Sequence, residues 1–106
     1  MWAQLITMRV KPGKEGELPS VFGQLDNIEQ PGSGLMRTIA MQDQNDPSRV
    51  MTLVVFESEA KARAREQDPR RAEGLASVQA TMADVFDGPP TFVNLTVLHD
   101  HATMGD

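Results

Sequence analysis

Apolar and polar residues alternate from the start of the chain. In residues 2–10, WAQLITMRV, one face carries Trp2, Gln4, Ile6, Met8 and Val10, the other Ala3, Leu5, Thr7 and Arg9. A period of two predicts a strand. Lys11-Pro12-Gly13-Lys14 is turn chemistry, since Pro presets one dihedral and Gly frees the next. From about Glu15 to Glu29 the period lengthens. Leu18, Val21, Phe22, Leu25 and Ile28 form one helical stripe, and Pro19 is tolerated in the first turn, where its missing N–H is not needed. Gln30-Pro31-Gly32-Ser33-Gly34 ends this helix. A second strand follows over Leu35 to Gln42, and the turn formers from Gln44 to Ser48 lead into a third over 49–57. That strand is apolar on both faces. Val50, Thr52, Val54 and Phe56 point one way, and Met51, Leu53 and Val55 point the other.

Ser58 is an N-cap for a helix over Glu59 to Gln67. Asp68-Pro69 reads as a fresh cap with Pro at the first helical position, so the helix restarts there and runs to about Asp87. Its stripe is Leu75, Val78, Met82, Val85 and Phe86. Asp87-Gly88-Pro89-Pro90 stops it, a last strand covers 91–99, TFVNLTVLH, and residues 100–106 form a polar tail.

This order predicts one α+β domain over residues 1–99. The pattern is ferredoxin-like βαββαβ: a four-stranded antiparallel sheet with two helices on one face. The opposite face then carries Leu5, Met51, Leu53, Val55, Val93, Leu95 and Val97, too much apolar surface to stay wet. Packing of two copies face to face covers it, which predicts a homodimer and a dimeric α+β barrel.

Charge narrows the partners. A net charge of -5 argues against a nucleic-acid-gripping domain. The main concentration of cations, Lys61, Arg63, Arg65, Arg70 and Arg71, is interleaved with Glu59, Glu66, Asp68 and Glu73, with Glu59–Arg63 and Glu66–Arg70 at helix-supporting spacing. It reads as a solvated helix face, with anion binding as the alternative. The chain has no cysteine, which excludes disulfide, zinc-thiolate and thiol-nucleophile chemistry. It shows no apolar run of membrane length and no basic-then-apolar leader, so a cytoplasmic protein without membrane contact is expected.

Catalytic residue types are sparse. There is no tyrosine. His99 and His101 share a face if the last strand continues, but a stable metal site needs a third ligand; no metal is expected, and either imidazole can shuttle protons near neutral pH. Gln4 and Thr52 lie on the helix-facing side, where burial without a partner is costly. They bond to each other, to water or backbone, or to a ligand carbonyl or hydroxyl. Arg37 shares its strand face with Leu35, Ile39 and Met41, as a snorkelling edge residue or an anion anchor. Trp2, the single tryptophan, reads as core or interface.

The chain resembles the antibiotic-biosynthesis-monooxygenase-like group of dimeric α+β barrel proteins over about residues 2–98. The resemblance rests on Val10-Lys11-Pro12-Gly13-Lys14, Pro31-Gly32-Ser33-Gly34, Asp46-Pro47-Ser48-Arg49, and Phe56-Glu57-Ser58-Glu59-Ala60 followed by Asp68-Pro69. It implies a pocket between helices and sheet that takes a small apolar or aromatic, quinol- or polyketide-like molecule. Trp2, Gln4, Ile6, Thr52, Val54, Phe56 and Asn94 would line it. The group includes cofactor-independent monooxygenases that form quinones, so no cofactor is expected, and enzymes that degrade haem. Phe56 stands where the oxygenases carry a tryptophan. Ile6 and Leu75 stand where the haem degraders carry an asparagine and a histidine ligand, and Arg65 falls where many relatives have histidine. The alternative is a non-catalytic dimer that binds or senses a metabolite on the same scaffold.

Overall fold

A computed structural model of the chain describes residues 1–103. The elements are β1 (Trp2–Arg9), a 3-10 turn (Glu15–Glu17), α1 (Leu18–Asn27), β2 (Leu35–Gln42), β3 (Arg49–Phe56), α2 (Glu59–Glu66), α3 (Pro69–Val85) and β4 (Thr91–Thr96). The strands form an antiparallel sheet in the order β2-β3-β1-β4. Each cap acts as its residue type dictates. Ser58 accepts from the Lys61 amide at 3.1 Å, opening α2. Asp68 accepts from the Arg70 amide at 2.9 Å with Pro69 beside it, opening α3. The β3–β4 connection is therefore two helices, and the fold reads βαββααβ rather than βαββαβ.

The expected α+β barrel is corrected by the strand order. β2 and β4 are the two edges of an open sheet, and among the described residues no ladder joins them. Closure requires strands to tilt and stagger until the edges pair, and here each edge strand has one neighbour.

Helix cover concentrates on β1 and β3. The main core cluster joins Val10 and Val50 to Val21 of α1, Val85 of α3 and Phe86, with Met8, Leu18, Phe22, Leu25 and Met82 packed round them. Helices α1 and α3 approach closely at Gly74, where a Cβ would lie 2.7 Å from the Ile28 Cβ. A second cluster, under α2, joins Trp2, Val54, Phe56 and Ala62, with Ile6 and Leu35 against it.

Several details differ from expectation, among them helix ends at Asn27 and Val85 rather than near Glu29 and Asp87 and a β3 end at Phe56 rather than 57. The first strand ends at Arg9, and Val10 continues only as a bridge to Phe86. β4 ends at Thr96, so Val97 and His99 lie beyond it. In β2 a bulge between Leu35 and Arg37 puts an extra residue in the strand, so Leu35 pairs with Phe56 and Arg37 with Val55. Leu35 thus joins the helix-facing side, while Arg37, Ile39 and Met41 share the open one. Of the polar tail, residues 104–106 lie outside the described residues.

The open face is built in rows. Ile39, Leu53, Leu5 and Val93 stand opposite one another across all four strands, and Arg37, Val55, Ala3 and Leu95 form the next row. Val93 and Leu95 are 51% and 37% exposed. At one end of this face Arg9 pairs with Arg49, an opposition of like charges that is unfavourable by itself. Asp46 offsets one guanidinium at 3.4 Å and Asp43 the other at 3.5 Å.

Candidate functional site

Strand register puts all seven sheet residues singled out in the sequence, Val54 opposite Gln4 among them, on the helix-facing side. Trp2 pairs with Phe56, Ile6 with Thr52, and Gln4 with Asn94. Their surroundings divide them into two groups.

Trp2 and Phe56 are packed core. Their ring centroids lie 5.9 Å apart at a tilted angle, with Ala62 of α2 in the same buried cluster. Two arginines of α2 stack over the pair: Arg63 is 5.3 Å from the Trp2 ring and Arg65 is 5.3 Å from the Phe56 ring. Each contact contributes about 0.5–1 kcal/mol when partly exposed. Arg63 is further held by Glu59 at 3.2 Å and Glu66 at 3.3 Å. The helix face that reads as merely solvated thus also covers the aromatic pair. The alternation of Arg63 and Arg65 with small Ala62 and Ala64 is the sequence signal that could have indicated this.

Gln4, Asn94 and Thr52 form the polar group. The Gln4 side-chain amide donates to the Asn94 carbonyl oxygen at 3.0 Å, which answers the question of Gln4's partner: it is Asn94 and not Thr52. The Asn94 side-chain N–H donors are free to meet solvent or ligand, since every residue of β4 is exposed. The principal contact of β4 is β1, with no helix packed closely on it. Phe92, on the same side as Asn94, is consequently 57% exposed. Thr52 is 6% exposed, and its hydroxyl is the one buried side-chain polar atom without a hydrogen-bond partner among the described residues. Such an atom calls for an occupant that can bond to it.

Two depressions flank the helices, and none of these seven residues lines either. One, of about 420 Å³, runs along α3 past Ala72, Leu75, Ala76, Gln79 and Met82, on the flank adjacent to the one that meets α1. The other, of about 250 Å³, lies between the α1–β2 loop, α2 and the start of α3. There Arg65 grips Glu29 through three contacts of 2.6–3.1 Å. Burial pushes the Glu29 carboxyl up; hydrogen bonds from Arg65 and Ser33, and the charges of Arg65 and Arg71, outweigh it and hold the group below its ordinary value.

His99 and His101 stack with centroids 6.5 Å apart and rings 8° from parallel. Among the described residues no three His, Cys, Asp or Glu side chains gather to hold a metal. No helix among them is long and apolar enough to cross a membrane.

An open antiparallel sheet with helices on one side, turned by these loops, defines a ferredoxin-like α+β protein. The chain belongs to the antibiotic biosynthesis monooxygenase family, whose model matches residues 1–76. The match contains Trp2, Gln4, Ile6, Thr52 and Phe56 and ends before Asn94. Solved structures of the same fold include a Nitrosomonas europaea protein of unknown function, 22% identical over 98% of this chain and 95% of that one, with a TM-score of 0.70. The cofactor-independent oxygenase SnoaB from Streptomyces nogalater, solved as a mutant, is 15% identical over 93% and 94% of the two chains at a TM-score of 0.70. A Bordetella bronchiseptica protein is 16% identical over 92% and 97%, at 0.73. Comparison with curated proteins gives no match.

Proposed function

We propose that this protein is a cofactor-independent, monooxygenase-like enzyme that binds a small aromatic, quinol- or polyketide-like molecule on the helix-facing side of its sheet. The observation that carries the reading is the uncovered strip on that side: Phe92 and the Gln4–Asn94 amide pair stay open to solvent because α3 stops short of β4. A flat ligand lying between this strip and the apolar flank of α3 finds Phe92, Leu75 and Met82 for its ring system. The amide pair meets its carbonyl or hydroxyl. Few, well-placed polar groups in an apolar setting are what such sites require.

In a reaction of this kind the substrate supplies the electrons. An anthrone-type methylene loses a proton to solvent water, and the resulting electron-rich anion reduces dioxygen; one oxygen atom becomes the new carbonyl and the other leaves as water carrying the equivalent of both methylene hydrogens. Gln4, Thr52 and Phe56 act as positioning residues. Amide and hydroxyl donors near the developing oxyanion favour the deprotonated form, and the Trp2–Phe56 pair, with Ile6, keeps the floor of the site rigid. Self-association accompanies this reading. Two copies meeting through the open sheet face bury the row of Ile39, Leu53, Leu5 and Val93, apolar across all four strands, and the apolar Val55, Ala3 and Leu95 of the next.

The test is incubation with anthrone- or hydroquinone-type substrates under oxygen, followed by quinone absorbance and oxygen uptake. Quinone formation that falls at least tenfold in Asn94→Ala supports the reading. Tight binding without turnover favours the non-catalytic metabolite-binding alternative, for which Phe56 at the tryptophan position is the specific argument.

A further inference from the structure

The depression between the α1–β2 loop and the paired helices has the composition of an anion site. Its walls are Glu29, Gln30, Pro31, Gly32 and Ser33 on one side, Lys61, Ala64 and Arg65 of α2, and Asp68, Arg70 and Arg71 at the start of α3. Four cations stand against two carboxylates, and both carboxylates are engaged. Arg65 holds Glu29, and Arg70 holds Asp68 at 2.8 Å. Lys61 stands 3.7 Å from Glu57, outside the depression; Glu66, also outside it, is taken by Arg63.

That leaves Arg71. Its side chain is half-buried, and among the described residues it has no ion-pair or side-chain hydrogen-bond partner. Burial and the neighbouring Arg65 charge disfavour its protonated form, while Glu29 and Glu66 partly restore it. A guanidinium has five N–H donors and stays charged, so Arg71, beside Arg65 and only partly offset by a Glu29 already bonded to Arg65, keeps donors and charge for a further anion. The loop opposite is suited to close approach. Gly32 has φ +76 and nothing within 4 Å of where its Cβ would be, so its backbone is open to the depression's contents. The N-terminus of α3 is already capped by Asp68, and the recognition therefore falls to side chains.

We infer that this depression binds the oxyanion group of a small metabolite, a phosphate or a carboxylate, with Arg71 as its principal ligand and Lys61 as its second. The site is distinct from the sheet strip of the proposed reaction, and its existence does not depend on that reaction. Phosphate and carboxylate present the same oxygen acceptors to a planar fork, and experiment separates them.

The experiment is titration of isotope-labelled protein with inorganic phosphate and, separately, with acetate, at constant ionic strength made up with chloride. Amide resonances of Gly32 and Ser33 and the side-chain Nε of Arg71 are followed. Saturable shifts confined to this loop and Arg71 are expected with one anion at least, and the anion that saturates first names the source. Arg71→Gln should weaken the response at least tenfold and Lys61→Gln several-fold, whereas Arg9→Gln, at the far end of the sheet, should leave it unchanged. Unsaturable shifts with both anions, or shifts spread over all basic residues, overturn the inference. So does undiminished binding in Arg71→Gln. If that variant does not fold, Lys61→Gln decides alone: unchanged binding there sinks the site.

Discussion

Strands β3 and β4 are both partners of β1, one on each side, and both are rich in branched and aromatic residues. Their fates differ completely. On β3, Val50, Thr52, Val54 and Phe56 are buried beneath helices, while on β4 no residue is buried at all. The difference lies in what passes overhead. α2 packs on β3, and Val21 of α1 and Val85 of α3 pack against Val50 of β3 and Val10, whereas the principal contact of β4 is β1. Residue type therefore decides that a segment is a strand, and connection geometry decides whether that strand is core or surface. In this molecule the core strand supplies rigidity and the bare strand supplies the accessible groups, Phe92 and Asn94, on which the proposed site depends.

The sharpest way to break this comparison is to put the same charge on both strands. Val50→Asp places an unpaired carboxylate in the core, at a cost of about 4 kcal/mol or more, and should abolish cooperative unfolding. Phe92→Asp should change stability by no more than about 1 kcal/mol in chemical denaturation. Equal losses in the two variants would mean that β4 is covered after all. Leu53→Glu addresses the self-association proposed for the open face: it should shift sedimentation from dimer to monomer, and a monomeric wild type or an unchanged mass would remove self-association through that face.

Two smaller effects sharpen the same contrast between filled and unfilled space. Gly74→Val drives a side chain into Ile28 at the α1–α3 crossing. A loss of about 1–3 kcal/mol is expected, read as a lower denaturation midpoint. Thr52→Val keeps shape while removing the orphan hydroxyl. Because that oxygen has no protein partner, stability should hold or rise by up to about 1 kcal/mol. Ligand affinity should fall if Thr52 positions the bound molecule. A stability loss above about 1 kcal/mol would show that the hydroxyl has a partner in solution.

Much of this architecture was legible in the chain. Caps and breakers are local, so Ser58, Asp68-Pro69 and Gly88-Pro89-Pro90 marked their boundaries within a residue or two, and alternation placed Trp2, Gln4, Ile6, Thr52 and Phe56 on one face. Long-range consequences were less legible. The bulge at Leu35 depends on pairing with β3, and it moved Leu35 away from Arg37. Nothing in TFVNLTVLH says that the last strand stops at Thr96 or goes uncovered. The barrel followed from packing two copies over the apolar face, and the edges of this sheet stay apart. Of the candidate site, the residue list came from pattern and resemblance, but the Gln4–Asn94 pairing needed two strands brought together across ninety positions of sequence. The Arg65–Glu29 grip, between two helices' ends, gave no local signal at all.

That grip provides the mildest of the tests, and it contrasts a half-buried charge with the exposed ones around it. The folded Glu29 carboxyl titrates below its ordinary value because Arg65, Ser33 and Arg71 favour the anion more than burial disfavours it. A depressed folded pKa means that the unfolded chain takes up the proton first. The stabilisation is therefore fully present above the unfolded carboxylate value, near 4.5, and is lost as pH falls through that value toward the lower folded one. Glu29→Gln should remove this portion of the acid dependence, so that wild type and variant converge in stability as pH drops below about 4 and diverge at neutrality. The variant should also loosen Arg65 from above Phe56, seen as a changed ring-current shift on the Arg65 side-chain resonances. Should the two proteins show parallel pH–stability curves from neutrality to acid, the Glu29–Arg65 pair contributes nothing net, as many exposed pairs do. The α2–loop junction would then be held by packing of Gly34 against Lys61, and Gly34→Ala, with φ +84 and a Cβ 2.6 Å from the Lys61 Cβ, would become the more damaging change at that end of the sheet.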